Sequence, residues 1–145
     1  MKIKIFIDSS VIISALISTE GASRQVLMLC EATTLDGIIS DKVVEEIKRV
    51  TKLKFPEMEV ILDEILNRAK FKIIDKVPAA ISKKAQAWIS DPNDVPILAA
   101  AKFAEVDVLL TLDIRHFIRD LNVSKKSGLK IMTPGEFLQG FWKMA

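Results

Sequence analysis

Four acidic residues of this chain lie at positions that suit chemistry: Asp8, Glu46, Asp94 and Asp113. The first and last of them end short apolar runs typical of buried strands, and the other two lie near the starts of helical patterns. In open α/β sheets the functional crevice lies at the carboxyl ends of the strands, where such residues converge. Close carboxylates repel by roughly 4 kcal/mol per pair at an effective dielectric near 20, so a fold that gathers them usually holds a divalent cation. The pattern predicts a metal-dependent hydrolase.

These acids must be positioned by the strands and helices around them. Short apolar runs alternate along the chain with longer helical patterns, which favours βαβ units and a parallel sheet. The predicted strands are residues 2–7, 37–40, 72–74, 108–112 and 130–132. The predicted helices are residues 11–17, 22–31, 42–53, 57–69, 80–89, 95–104, 114–121 and 134–142. The helix over 57–69 carries a broad apolar stripe, which either packs on the sheet or forms the interface of a homodimer.

The composition is that of an ordinary globular domain. The chain has 145 residues, of which 50% are hydrophobic and 28% are charged, and this predicts one domain over residues 1–145 with a full core. A net charge of +2 does not by itself indicate a nucleic-acid partner. The local lysine clusters could follow a phosphate backbone, but they are more typical of solvated surfaces.

Cysteine content and apolar segments bear on the cellular compartment. The single cysteine, Cys30, excludes an intramolecular disulfide and lies in an apolar segment typical of a buried thiol. Asp8 interrupts the only N-terminal apolar segment, which argues against a signal peptide. No stretch approaches the roughly 20 apolar residues of a membrane span. These features predict a cytoplasmic protein without a membrane partner.

Helical periodicity distinguishes Glu46 from its neighbour Glu45. The buried stripe of their helix is marked by Val43, Ile47 and Val50. At about 100° per residue, Glu45 falls nearly opposite that stripe, whereas Glu46 lies at its edge. An acid at the edge reaches a crevice that borders the core, so we expect Glu46 to be the functional acid of the pair.

The helix that follows Asp94 is rich in alanine, which lets it approach the sheet closely and hold that carboxylate near the strand ends. Three residues can cap this helix: Asp91, Asn93 and Asp94. Only Asp94 continues the inward stripe of the helix, through its spacing to Ile97 and Leu98. We therefore expect Asp94 in the site, and Asp91 as a turn former or as a group that supports the site from behind.

The segment around Asp113 offers several polar side chains. Alternation along the strand places Thr111 on the same side as Asp113. Arg115, with its forked donors, is the better candidate to bind a substrate phosphate. His116 is the only histidine and is tempting as a base. A lone histidine in the first turn of a helix is more often a surface or packing residue, and we expect that role here.

Together, these segments resemble PIN-domain nucleases, in particular the small prokaryotic toxin-like members. The matching segments, in the family's order, are residues 7–11, 40–47, 91–94 with the alanine helix, 111–113 and 133–138. Ser10 departs from the pattern, since the family often has asparagine there. The resemblance implies a three-layer α/β/α fold around a parallel sheet of about five strands, whose four acids bind Mg²⁺ or Mn²⁺ and cleave single-stranded RNA. Many relatives are toxins paired with an antitoxin protein, and many form homodimers.

The resulting hypothesis is phosphodiester hydrolysis by a water molecule that a divalent metal ion activates. We expect Asp8 and Asp94 to be the main ligands, with Asp113 and Glu46 completing the site directly or through water. Which carboxylate positions the water stays open. The further candidates to orient metal-bound water or phosphate are Ser9, Ser10, Thr111 and Arg115.

Two other interpretations fit the residues less well. One is a PIN-like protein that docks RNA or a partner without cleavage, and the presence of all four acids argues against such a degenerate site. The other is an aspartyl-phosphate enzyme or receiver-like domain. Such proteins need an acid pair or an Asp-x-Asp sequence after the first strand, whereas Ser9 and Ser10 follow Asp8 here.

Overall fold

A five-stranded parallel sheet forms the centre of the protein, and the computed structural model describes residues 2–144. Across the sheet the strand order is β3-β2-β1-β4-β5, with every neighbouring pair parallel. The strands are β1 (Ile3–Ile7), β2 (Leu35–Ser40), β3 (Lys72–Ile74), β4 (Val108–Leu110) and β5 (Ile131–Met132). The predicted α/β class, with a parallel sheet of about five strands flanked by helices, is confirmed.

Within residues 2–144, eight α-helices connect and cover the strands. They are α1 (Ser9–Ile17), α2 (Ala22–Glu31), α3 (Asp41–Lys54), α4 (Glu59–Arg68), α5 (Ala79–Ala85), α6 (Val95–Phe103), α7 (Leu121–Ser127) and α8 (Pro134–Met144). Short 3₁₀ turns at Pro56–Met58 and Pro92–Asp94 lead into α4 and α6, and one turn of π-helix spans Ile114–Ile118. None of the helices in this range combines the length and the apolar character needed to cross a membrane.

The two central strands, β1 and β4, lie in the middle of the core. Ile5, Phe6 and Ile7 of β1 are fully buried, as are Leu109 and Leu110 of β4. Such continuous burial along a strand is expected for a parallel sheet that is covered on both faces. The polar residues that follow these strands are therefore held on a rigid base.

The chain changes its direction of progress across the sheet between β1 and β4. It runs from β1 through β2 to β3 at one edge, and then returns to add β4 on the other side of β1. In the register of this pair, Ile7 lies opposite Leu110, so Asp8 and Thr111 come next at the same level. A crevice forms at such a switch point, and in open α/β sheets it is the usual ligand site.

Three helix predictions differ from the structure. The segment 114–121 is not one helix, because the side chains of Asp113 and Asp120 each accept a backbone N–H hydrogen bond and start separate turns. This gives the π-helical turn and then α7, which the sequence analysis missed. Helix α5 ends at Ala85 rather than at residue 89, because the N–H groups of Ala87 and Trp88 bond three residues back instead of four. The helix predicted from residue 57 begins as the 3₁₀ turn that follows Pro56.

The burial of helix α4 bears on whether its apolar stripe packs within the fold or forms a homodimer interface. Leu62 is buried, and Ile65 and Leu66 pack partly buried against the core. Ile61 and Val60 remain exposed, at 39% and 71% of their surface. Most of the stripe therefore packs within the fold, and the homodimer stays a prediction.

Cys30 behaves as the sequence predicts. Its side chain is buried with 2% exposed. Burial, together with the nearby charge of Asp36, raises the pKa of the Cys30 thiol to about 12. A thiol that stays protonated is a poor nucleophile, so Cys30 serves as a small core residue.

Gly37 is required by a close approach in strand β2. A Cβ atom at this position would lie 2.7 Å from Cδ1 of Phe71 and 3.0 Å from Sγ of Cys30. Gly140, in α8, is a contrasting case, because a Cβ there would have no neighbouring atom within 4 Å. The two glycines form a matched pair for testing the packing around β2.

We expect Gly37→Ala to lower the free energy of unfolding by about 1–3 kcal/mol, the typical cost of overpacking a core. Gly140→Ala should instead raise it by about 0.5–1 kcal/mol, because alanine is the better helix former. Urea denaturation of both variants measures these changes. A Gly37→Ala protein as stable as the wild type would show that Phe71 moves aside freely.

Candidate metal centre

Asp8 is held tightly at the end of β1. Its backbone N–H donates a hydrogen bond of 3.0 Å to the carbonyl oxygen of Leu110, which fixes it against β4. Oδ2 of Asp8 accepts hydrogen bonds from the hydroxyl groups of Ser10, at 2.8 Å, and Thr111, at 2.9 Å. Although Asp8 precedes α1, its side chain does not cap that helix. The carboxylate is thereby oriented in the crevice between β1 and β4.

The same two hydroxyl groups tie Asp8 to the segment after β4. Ser10 Oγ accepts a hydrogen bond of 3.0 Å from the N–H of Leu112, and Thr111 Oγ1 accepts one of 3.0 Å from the N–H of Asp113. A hydroxyl has one proton to donate, and both donate it to Asp8. Their contact with water or phosphate, and that of the buried Ser9, stays a prediction.

Asp113 organises the π-helical turn that follows it. Its Oδ1 accepts a hydrogen bond of 3.0 Å from the backbone N–H of His116, and its Oδ2 lies 3.0 Å from Nδ1 of the same residue. One carboxylate therefore fixes both the backbone and the ring of His116. The ring nitrogen also lies 3.2 Å from Oδ2 of Asp94 and 3.9 Å from Oδ2 of Asp91.

The side chain of His116 is 41% exposed, but its ring nitrogen also lies within 4 Å of three carboxylates, which the expectation of a surface or packing residue did not include. The spacing from Asp113 to His116 carried the missed signal, since residues three apart share one face of a helical turn. Arg115 is exposed on the same turn. Its binding to a substrate phosphate stays a prediction.

Asp94 is the residue directly before α6. It makes no capping hydrogen bond. Asp91 forms the preceding turn instead, as one of its expected roles, by accepting a hydrogen bond of 2.9 Å from the N–H of Asn93. Within residues 2–144, the buried Oδ2 of Asp94 has no hydrogen-bond partner of suitable geometry. The proximity of His116 Nδ1 does not contradict this, because without a metal ion Nδ1 can carry a single proton and direct it at Asp113, whereas a bound metal ion would take the place of that proton.

The pKa values of the acids reflect this crowding. Burial, followed by the charges of Asp91 and Asp113, raises the pKa of Asp94 to about 6, while His116 opposes the rise. Burial also raises the pKa of Asp8, against the hydrogen bonds from Ser10 and Thr111 that lower it. The charge of Asp8 adds to the rise at Asp94, so the acids sense one another.

Glu46 reaches this group from α3. It is exposed, and its charge contributes to the raised pKa of Asp8. Glu45 forms an ion pair of 3.7 Å with Lys42 on the surface. The preference for Glu46 over Glu45 is thus consistent with the structure, and its functional role stays a proposal.

The amino-acid sequence matches a known protein family over most of its length. The family model of the PIN domain matches residues 4–115, which contain β1 from its second residue, β2 to β4 and all four predicted acids. This chain belongs to the PIN-domain family. A comparison with curated proteins finds no match.

Solved structures share the fold of this PIN domain at low sequence identity. A chain of VapBC2 from Rickettsia felis, bound to a DNA fragment from its promoter, has a TM-score of 0.67 and 20% identity, covering 90% of this chain and 98% of that one. DNA-bound VapBC from Salmonella typhimurium gives 0.68 and 18%, with coverage of 91% and 98%. FitAcB from Neisseria gonorrhoeae gives 0.60 and 21%, with coverage of 90% and 97%. These values establish a common fold.

The donor atoms in this PIN domain fit a divalent cation. One oxygen each from Asp91 and Asp94 and a ring nitrogen of His116 lie within 4.8 Å of one another. The buried Asp94 Oδ2 lacks a hydrogen-bond partner within residues 2–144, as a ligand atom would. Carboxylate oxygens suit hard divalent ions, and imidazole nitrogen suits first-row transition metals.

We expect Asp94→Asn to stabilise the metal-free PIN domain, measured by thermal or urea unfolding in the presence of a chelator. The pKa of Asp94 is raised to about 6 from an ordinary 3.8, so folding disfavours the charged form. Removing that charge should add about 1–3 kcal/mol at neutral pH, at about 1.4 kcal/mol per pKa unit. The gain should shrink as the pH falls through about 6 and vanish below the ordinary pKa of 3.8, where both states of the wild type are protonated.

Asp63→Asn, at an exposed position of α4, is the matched control and should change stability little at any pH. An Asp94→Asn variant that is less stable than the wild type in chelator would contradict the electrostatic account of the site.

Proposed function

We propose that this PIN-domain protein is a metal-dependent endoribonuclease that hydrolyses phosphodiester bonds of single-stranded RNA. The observation that supports this most is the meeting of three acids at the switch point of the sheet: Asp8 directly after β1, Asp94 directly before α6 and Asp113 in the segment after β4. These elements have no structural need to bring acids together. Burial and, after it, the mutual repulsion of the acids raise the pKa of Asp94, and this is the cost expected of a site built to bind a cation.

In this proposal Asp8, Asp94 and Asp113 hold Mg²⁺ or Mn²⁺, and Glu46 completes the site from α3. The cation lowers the pKa of a water molecule and offsets the charge of the attacked phosphate. The chain itself keeps the donors in place. The hydroxyl groups of Ser10 and Thr111 fix the orientation of Asp8, and burial of the crevice strengthens each charge interaction.

An open cavity beside Glu46 offers a path for the substrate. It has a volume of approximately 580 Å³, and its walls include Lys42, Glu46 and Arg49 of α3 and Pro92 and Pro96 at the start of α6. Pockets of this size hold single small ligands. The cavity therefore suits an unpaired nucleotide better than the surface of a duplex, which supports single-stranded RNA as the substrate.

Basic side chains flank Glu46 along this wall of the cavity. Lys42 lies four residues before Glu46 and Arg49 three residues after it, so all three share one helix face. The ion pair between Lys42 and Glu45 is exposed and therefore weak, which leaves Lys42 available to a phosphate. Arg49 can bind a phosphate through two parallel N–H groups. We propose that both contact phosphates next to the one that is cleaved.

We further propose that the protein is the toxin of a toxin–antitoxin pair, with an antitoxin protein as partner, and that it acts in the cytoplasm, where it forms a homodimer. The likeness in fold to chains of VapBC2, VapBC and FitAcB supports this role. A short reading frame next to the gene is the genomic arrangement that the proposal expects.

The decisive experiment compares the wild type with Asp8→Asn on labelled single-stranded RNA in Mn²⁺, scored for both cleavage and retention. Asparagine keeps the shape of the side chain and an oxygen that accepts hydrogen bonds. We expect cleavage to fall by more than roughly 100-fold, since even residues behind metal ligands typically cost 10–100-fold. RNA retention should stay equal or rise slightly, because one negative charge is removed.

Two variants of α3 extend this assay. Glu46→Gln should remove cleavage, whereas its neighbour Glu45→Gln serves as the control and should retain it. Equal cleavage by the wild type and Asp8→Asn would reveal a contaminating nuclease and refute the mechanism. A wild type that retains RNA without cleaving it in any metal would be an RNA-docking protein instead.

The proposed path of the RNA predicts a difference between Arg49 and Lys48. Arg49→Ala should weaken RNA retention in chelator several-fold. The slope of log affinity against log salt concentration should fall by about 1, the value for one lost phosphate contact. Lys48→Ala is the matched control, because Lys48 lines a separate cavity next to Lys52 and Leu62. Equal effects of both substitutions would indicate general charge attraction and exclude a defined path along the cavity.

A further inference from the structure

His116 adds a nitrogen donor to the site formed by the four acids. It is the only histidine of the chain, and its Nδ1 lies 3.0 Å from Asp113 Oδ2 and 3.2 Å from Asp94 Oδ2. We propose that Nδ1 of His116 is a ligand of the resident metal ion, and that this ion is Mn²⁺ rather than Mg²⁺. The inference rests on the proposed function in one respect, namely that a divalent cation binds at this site.

The distances from His116 Nδ1 to the two nearest carboxylate oxygens are those of neighbouring ligands. An octahedral ion with bonds of about 2.1 Å keeps adjacent ligand atoms roughly 3.0 Å apart. The distances from His116 Nδ1 to Asp113 Oδ2 and Asp94 Oδ2, 3.0 and 3.2 Å, match this value. Asp91 Oδ2 lies 3.9 Å from Nδ1, and with Asp94 and His116 it belongs to the group whose ligand atoms lie within 4.8 Å of one another. Among residues 2–144 Asp94 Oδ2 also lacks a hydrogen-bond partner and remains available.

The ring of His116 is placed by the fold. Asp113 Oδ1 accepts the backbone N–H of His116, and the next residue, Phe117, is buried with 2% exposed and anchors the π-helical turn. The N–H of Phe117 bonds the carbonyl oxygen of Asp113 at 3.2 Å. The turn between Asp113 and Phe117 thus presents Nδ1 to the acids from a fixed backbone.

The mixed donor set indicates the kind of ion. Mg²⁺ strongly prefers oxygen ligands and keeps several waters, whereas imidazole nitrogen suits first-row transition metals. Mn²⁺ accepts both carboxylate oxygen and imidazole nitrogen, so it is the ion that uses all of these donors. A site without His116 would discriminate much less between Mn²⁺ and Mg²⁺.

Electron paramagnetic resonance of Mn²⁺ tests the bond directly, on the wild-type protein without a histidine tag. Because the chain has one histidine, an imidazole nitrogen coupling to Mn²⁺ can arise only from His116. We expect pulsed spectra of the Mn²⁺-loaded protein to show a ¹⁴N coupling. The coupling should change to that of ¹⁵N when the protein is grown with ¹⁵N-labelled histidine.

Metal titrations of His116→Gln give a second measurement, with Arg119→Gln as the control at an exposed position just beyond the turn. We expect His116→Gln to weaken Mn²⁺ binding by roughly 10–100-fold, the scale of losing one contact around a metal, with Mg²⁺ binding much less affected. Arg119→Gln should bind both ions as the wild type does. Circular dichroism in chelator checks that the His116→Gln variant is folded.

The outcomes separate this inference from the proposed function. Bound Mn²⁺ without any histidine nitrogen coupling would overturn the ligand role of His116 and leave the four-acid nuclease site standing. A wild type that binds neither Mn²⁺ nor Mg²⁺ would overturn both. Equal losses of Mn²⁺ and Mg²⁺ affinity in His116→Gln would reduce His116 to a residue that positions Asp113 and Asp94.

Discussion

Repulsion between carboxylates at the switch point of the sheet is the constraint on which the rest of the site depends. Burial and neighbouring charges raise the pKa of Asp94 to about 6, so the charged form is held at a cost. The protein tolerates this cost because the buried residues of β1 and β4 supply stability elsewhere. Hydroxyl donors on Asp8 and an imidazole beside Asp94 and Asp113 offset part of it. The negative charge that these groups do not offset is available to attract a cation.

Much of the fold followed from patterns that are local in sequence. Continuous apolar runs identified the strands, and the acids that follow β1 and β4 could be placed at one edge of the sheet because parallel strands end together. The role of His116 could not be derived in this way, because it depends on Asp91 and Asp94, which are more than 20 positions away in sequence. The separate turn and helix after Asp113 were missed because two capping aspartates outweigh the helical period of the apolar residues.

The comparisons show which parts of the chain carry the family pattern. Identities of 18–21% with TM-scores of 0.60–0.68 mean that the fold tolerates replacement of most side chains. Cores accept such changes when volume and apolar patterning are kept. The family match ends at Arg115, one residue before His116. The match therefore carries the acids of the site but makes no statement about the imidazole beside them.

The hydrogen bond between Asp8 and Thr111 joins residues 103 positions apart, and this separation sets the order in which the site can assemble during synthesis. A ribosome releases β1, β2 and β3 well before β4, and the first three strands lie together on one side of the switch point. A nascent chain at that stage contains Asp8 and Glu46 but lacks Asp94 and Asp113. Contacts between distant segments form late in folding. Translation must therefore pass the π-helical turn before the acidic centre can be complete.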